Sequence, residues 1–129
     1  MIDKIINNEN WYIAEIVERA ENVGSDKSNP NRRCTVWVNA VLVKAKSPEQ
    51  AYEKAVSIGK EKYGPSRYKA AAGNTVQWRF LGIKDIIPIY ENIEHGSEIF
   101  WEKWDPISVK KSERMIKSKK DLIRGAQRP

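Results

Sequence analysis

The sequence predicts a small α+β domain, in which one main helix packs on an antiparallel sheet of four to five strands. The expected order is β-β-α-β-β, followed by a basic C-terminal helix. Three observations indicate this fold: β-prone segments flank a single segment of helical periodicity, a polar loop separates the first two strands, and excess positive charge collects at the end of the chain. With 129 residues the chain is long enough for one domain. We therefore expect a single domain over residues 1–107 and a basic amphipathic helical tail over 108–129.

The first two strands are predicted on either side of a polar loop. Residues 11–18 (WYIAEIVE) combine β-prone residues with partial two-residue alternation. Residues 33–45 (RCTVWVNAVLVKA) are apolar on both faces, which predicts a central strand and a buried, inert thiol at Cys34. Between them, residues 22–33 (NVGSDKSNPNRR) are typical of a loop.

The main helix is predicted by its start signals and its apolar stripe. Ser47 is a capping residue, Pro48 fits the first helical position, and Gln50 completes a capping box. Ala51 and Ala55 lie at helical spacing on one side. Small residues on that side allow the helix to approach the sheet closely.

Residues 75–83 (TVQWRFLGI) predict the next strand. Alternation places Trp78 and Phe80 on one face, where we expect them to pack against the helix as core aromatics. Arg79 then lies on the opposite, wetter face.

The last part of the domain predicts a further strand and an unusual aromatic cluster. Residues 84–90 (KDIIPIY) continue the strand or form another, and 94–105 (EHGSEIFWEKWD) predict a turn at His95-Gly96 before a late strand. Apolar side chains fall on both faces of that late strand, which suits a pocket or a partner surface. They are Ile99, Phe100, Trp101 and Trp104.

Charge is distributed unevenly along the chain. The net charge is +6, and all of that excess lies in residues 108–129, since the first 107 residues are balanced. Apolar pairs seven residues apart, Met115/Ile116 and Leu122/Ile123, predict an amphipathic tail helix with a basic polar face. Because the first 107 residues have no net charge, the sequence gives little support for nucleic-acid binding across the whole surface.

Several function classes are not supported by the composition. One cysteine and one histidine exclude an intramolecular disulfide and a Cys/His zinc cage within one chain. The start MIDKIINNEN has no signal-peptide pattern, and no apolar run approaches the roughly 20 residues that span a bilayer. We expect a cytoplasmic protein without a membrane segment. No catalytic motif is present, so we predict no enzyme activity, no catalytic residue, no metal and no cofactor.

A set of short motifs resembles a known bacterial family. The motifs are Trp11-Tyr12, SPEQAYEKA, YKAAAGNTVQWRFLGIKDI and EHGSEIFWEKW, in that order. Together they resemble the family known as domain of unknown function 4288, over about residues 11–104. The resemblance implies a small α+β fold and supplies no activity, cofactor or catalytic residue. Ala70 and Asn74 stand where the family pattern often has an Asn and an acid, so a polar site there would be altered in this chain.

The first functional hypothesis is a non-catalytic module that binds another protein or forms a homo-oligomer. Small proteins of this kind often occur near toxin-immunity or phage-conflict genes, so the resemblance implies an immunity- or antitoxin-like role. The partner-binding residues would be Trp101 and Trp104, as desolvated aromatic anchors, with Lys117 and Lys120 of the basic tail against an acidic partner.

The second hypothesis is a small-molecule binder. A fixed guanidinium binds an anion bidentately, and Arg79 alternates with two aromatic residues. A pocket lined by Trp78, Arg79, Arg67 and Lys69 would sequester an anionic, nucleotide-derived ligand. A third hypothesis, ranked last, is nucleic-acid contact through the basic tail.

Overall fold

The computed structural model describes residues 9–127. Residues 1–8, which include most of the stretch examined for a signal peptide, and residues 128–129 lie outside the described part. The described chain is α+β, as predicted, with a four-stranded antiparallel sheet. Its elements are β1 (Asn10–Asn22), β2 (Thr35–Ala45), α1 (Pro48–Lys62), β3 (Ser66–Lys69), β4 (Thr75–Pro88), α2 (Val109–Arg114) and α3 (Lys119–Ala126).

The sheet has the order β2-β1-β4-β3, so β1 is central between its two long partners. Ala14 of β1 lies opposite Val41 of β2 and Ile86 of β4. The prediction of a central position for β2 is wrong, because β2 pairs only with β1 among the described residues and lies at the sheet edge. Apolar residues on both faces of a strand do not determine how many strands lie beside it, and Val36, Val38 and Leu42 of β2 are 44–50% exposed.

Helix α1 covers one face of the sheet and builds the core there. Its start follows the prediction: the Gln50 N–H donates to Ser47 Oγ at 3.1 Å, and Gln50 Oε1 accepts from the Lys46 N–H at 2.7 Å. Alanines on the inner side of α1 are fully buried, so the helix lies close to the sheet. The buried cluster consists of Tyr12, Ala14, Ile16, Val43, Ala45, Ala51 and Ala55, and Phe80 packs against it.

The third and fourth strands differ from the predicted ones. The stretches 75–83 and 84–90 were expected to supply one or two strands, and Thr75–Pro88 forms one continuous strand, β4. Its register against β1 shifts between Glu15 and Ile16 and again between Val17 and Glu18, as at β-bulges, and pairing continues to Pro88. The short edge strand β3 was not predicted, because four exposed residues carry no periodic signal.

The segment after β4 turns back over the sheet face opposite α1. The predicted turn at His95-Gly96 is present, with Gly96 at a φ of 89°. The predicted late strand is wrong, since residues 97–105 have no regular secondary structure. Their aromatic residues therefore lie outside the hydrogen-bonded strands of the sheet.

The tail forms two short helices instead of the one continuous helix that was predicted. Residues 115–118 separate α2 from α3, and Ser108 and Ser118 cap the two helices by accepting from the N–H groups of Lys111 and Asp121. Serine favours such caps over helix interiors, which explains the break. Neither helix has a buried residue. Within residues 9–127 no helix is long and apolar enough to cross a membrane.

Candidate functional site

A groove lies between the sheet face opposite α1 and the irregular segment that follows β4. The Ile89 N–H donates to the Trp11 carbonyl at 2.9 Å and fixes the point from which the segment crosses the sheet. The main cavity has a volume of about 580 Å³. A neighbouring cavity of about 290 Å³ shares five lining residues with it, so the two are continuous. The apolar lining of this groove includes Ile13, Leu42, Ile87, Ile93, Ile99, Phe100 and Trp101.

The aromatic side of the groove is open to solvent. Phe100 is 51% exposed and Trp101 is 68% exposed, while Ile13 on the sheet beneath them is 6% exposed. A contiguous exposed apolar surface of this kind marks a site for a protein or ligand more often than single exposed residues do. Trp101, proposed from the sequence for a pocket or partner surface on a late strand, is exposed in an irregular segment of the structure.

Acidic side chains surround the groove. They outnumber the basic ones, since Lys84 is the single basic residue among the described residues that line the two cavities. Its Nζ lies 3.7 Å from Glu15 Oε1. Acidic groups in this lining attract basic groups, whereas the hypothesis of an acidic partner rests on the basic tail. The acids are Glu15, Asp85, Glu91, Glu98 and Glu102.

The four residues predicted to bind a protein partner are divided between the groove and the tail. Trp101 lines the groove, whereas the Trp104 Nε1–H donates to Glu102 Oε2 at 3.2 Å, beside the groove rim. Lys117 lies between α2 and α3, and Lys120 is in the first turn of α3. Both lysines are exposed. The tail nevertheless begins next to the groove, because Lys111 Nζ lies 5.5 Å from the centre of the Trp104 ring.

The residues predicted to bind an anion lie on two different faces of the sheet. Arg79 pairs with Arg19 of β1, and Arg67 pairs with Gln77, so the alternation places both arginines on the face opposite α1. Lys69, two residues after Arg67, shares that face. Trp78 lies on the other face, and the sheet separates it from the three basic residues.

Trp78 belongs to an aromatic cluster on the α1 side of the sheet. The centre of its ring lies 4.3 Å from that of Trp37 and 6.3 Å from that of Tyr68. The prediction that Trp78 packs on the helix-covered face is therefore right about the face, although its ring contacts are with β2 and β3. Phe80, two residues later, is the aromatic residue that reaches the helix.

Sequence reasoning missed a buried ionic cluster around Glu21. The Glu21 side chain is 7% exposed and forms ion pairs with Arg32 at 2.6 Å, Arg19 at 3.4 Å and Lys27 at 3.7 Å. The hydrogen bond from Arg32, with the charges of Arg32, Lys27 and Arg19, lowers the pKa of Glu21 from 4.5 to about 2. The same hydrogen bond raises the pKa of Arg32. Arg32 and Lys27 lie in the loop between β1 and β2, so this cluster attaches the loop to the sheet.

One atom of this cluster has no partner. Among the described residues, Arg19 Nε is a buried side-chain nitrogen without a hydrogen bond. Arg19 also lies directly across the strand from Arg79, and like charges opposite each other are destabilising. No local motif could have revealed this arrangement, because it depends on the register between β1 and β4.

Cys34 is exposed, which corrects the expectation of a buried thiol. The reason is that the ladder between β1 and β2 ends at the pair Ala20–Thr35, so Cys34 lies just beyond it. In the part of the chain that is described, no three His, Cys, Asp or Glu residues are grouped closely enough to hold a metal ion.

Comparison with known proteins identifies the domain that carries the groove. The family model described as Domain of unknown function (DUF4288) matches residues 11–101. No curated protein and no solved structure gives a significant match. The matched segment runs from β1 to Trp101 and includes every element of the sheet, and it ends before Trp104 and the tail. Because the match covers well over half of the chain, the protein belongs to the DUF4288 family.

Proposed function

We propose that the chain is a non-catalytic protein-binding module, whose groove receives an apolar segment flanked by basic residues. The observation that carries the proposal is the exposure of Phe100 and Trp101 above an apolar sheet face. Protein interfaces draw most of their binding energy from a few aromatic anchors of this type. The groove presents them on an irregular segment that lies above the paired strands.

Burial of Trp101 supplies a large part of the expected affinity. The side chain is 68% exposed. A tryptophan buries up to about 250 Å² of largely apolar surface, so full burial of the exposed part recovers on the order of 3 kcal/mol. Phe100 adds a smaller share because about half of its surface is already covered. These gains oppose the cost of losing translational and rotational freedom on binding.

The acidic rim determines which partner fits. Glu98 and Glu102 flank the aromatic anchors, and Asp85 lies beneath them on β4. Carboxylates around an apolar patch attract basic segments and repel acidic ones, and this preference weakens as salt is added. The proposal also includes a cytoplasmic location and the immunity- or antitoxin-like role that the family resemblance implies. Such a role requires stoichiometric binding and no catalysis.

A second candidate function is the binding of a small anion on the sheet. The juxtaposition of Arg19 and Arg79, together with the unpaired Arg19 Nε, favours it. An oxyanion between the two guanidinium groups would relieve their repulsion and accept hydrogen bonds from both. Arg67 lies on the same face of the neighbouring strand. Trp78 would take no part, because it is on the other side of the sheet.

Selection from a random peptide display library tests the proposed function. The full chain should enrich peptides that combine Leu, Ile, Met or aromatic residues with Lys or Arg. Those peptides should lose at least tenfold in affinity for Trp101→Ala and keep their affinity for Tyr52→Ala, which changes an exposed aromatic residue on α1. Enrichment of acidic peptides, or equal binding to both variants, would contradict the proposal.

A further inference from the structure

The tail presents apolar side chains that nothing in the described chain covers. Val109 and Ile116 are more than 70% exposed, and Leu122 and Ile123 of α3 are about half exposed. In α3, Leu122, Ile123 and Ala126 lie at helical spacing on one side. This stripe is amphipathic because Lys120 and Arg124, four residues apart, lie beside it. A short helix of this type gains its stability from packing on another surface.

The tail is complementary in charge to the groove. Residues 108–129 carry a net charge of +6. The groove lining carries five carboxylates and one lysine that is paired with Glu15, and among the carboxylates Glu15 and Asp85 lie opposite each other on the sheet floor. Both surfaces combine apolar side chains with charges of opposite sign. The same chain therefore contains a basic amphipathic helix and an acidic apolar groove.

The position of the tail favours exchange between two copies. The tail starts beside the groove, where Lys111 contacts Trp104, and α3 has no buried residue. Two copies related by a twofold axis can each place α3 in the other's groove. Such reciprocal exchange forms the contact twice and leaves no groove open, which closes the assembly at a dimer.

We infer that two copies of this chain form a dimer in which α3 of each copy occupies the groove of the other. The inference rests on the proposed function, since it names an occupant for the same groove. The apolar contact places Leu122 and Ile123 against Phe100 and Trp101. Lys120 and Arg124 then face the carboxylates of the rim. A foreign partner would bind by displacing the tail.

Sedimentation velocity of the full chain over a concentration series tests the inference. The wild type should show a concentration-dependent dimer. The tail variant Leu122→Asp/Ile123→Asp and the groove variant Phe100→Asp should each weaken the dimer at least tenfold. All three residues are about half exposed, so we expect the folded domain to tolerate the changes, and circular dichroism of each variant checks this. Tyr52→Asp, on the exposed side of α1, is the matched control and should dimerise normally.

Mixing the two defective variants provides a second, independent arm. The groove variant has an intact α3 and the tail variant has an intact groove, so a mixture should regain a dimer that neither forms alone. A dimer that survives both variants overturns the inference because it uses another surface. A wild type that stays monomeric, through docking of α3 in its own groove or without docking, overturns it too. Peptide selection by the groove would then still support the proposed function, and failure of both experiments removes both proposals.

Discussion

The ring of Phe80 on β4 lies directly against the backbone of Gly59 on α1. A Cβ at position 59 would lie closer than 3.0 Å to three carbon atoms of the Phe80 ring, a separation that real Cβ atoms essentially never show. Gly59 is buried, and it lies four residues after Ala55 on the inner side of the helix. The lack of a side chain at this point sets how closely the last turns of α1 approach the sheet.

The first prediction is that Gly59→Ala destabilises the domain. Alanine would favour the helix by about 1 kcal/mol, whereas overpacking against an aromatic ring costs about 1–3 kcal/mol. We expect a net loss of about 1 kcal/mol in urea unfolding. Ser57→Ala, on the exposed side of α1, is the control and should be neutral or stabilising. A Gly59→Ala variant more stable than wild type would show that the contact is looser than described.

The second prediction concerns the ring itself. Phe80→Ala removes the aromatic residue that links β4 to α1, and we expect a loss of about 3 kcal/mol, the low end for such substitutions because the ring is only partly buried. Leu81→Ala is the control, since Leu81 is 44% exposed and should cost less than about 1 kcal/mol. Thermal unfolding measures both. Equal midpoints for the two variants would contradict the packing of α1 on β4.

The third prediction is a pH dependence from Glu21. Its pKa in the folded state is about 2 instead of 4.5, so its stabilising effect is complete above pH 4.5 and is lost as pH falls towards 2. We expect the wild type to be more stable than Glu21→Gln at neutral pH. That difference should shrink over the same acidic range. A difference that stays constant from neutral to acidic pH would mean that the carboxylate charge contributes nothing.

The fourth prediction tests the anion site. Inorganic phosphate, and more strongly a nucleoside diphosphate, should raise the melting temperature of the wild type and leave that of Arg79→Ala unchanged. The reason is that a ligand bound only to the folded state stabilises it by mass action. Arg67→Ala should show a reduced effect because it lies one strand further out. Equal shifts in wild type and Arg79→Ala would exclude the two-arginine site.

The sequence predicted the elements with strong local signals and missed those that depend on pairing. The capping residues Ser47 and Gln50 predicted the start of α1 correctly. Alternation placed Phe80 on the α1 side of the sheet and Arg79 on the opposite side, as observed. The edge position of β2, the short strand β3 and the juxtaposition of Arg19 with Arg79 follow from strand order and register, which no local pattern encodes. The aromatic residues near position 101 pointed to one side of the groove. The acidic residues of the groove come from separate strands and loops, so no single stretch of sequence shows them together.

The most direct test of the central claim is a chemical-shift map of the groove. The full-length Leu122→Asp/Ile123→Asp chain, labelled with ¹⁵N, is titrated with an unlabelled peptide of residues 115–127. Shifts are predicted at Ile13, Leu42 and residues 99–102, weakening as salt is raised, and a peptide with the same two Asp substitutions should produce none. Shifts confined to the α1 side of the sheet, or no shifts with the wild-type peptide, would contradict the account.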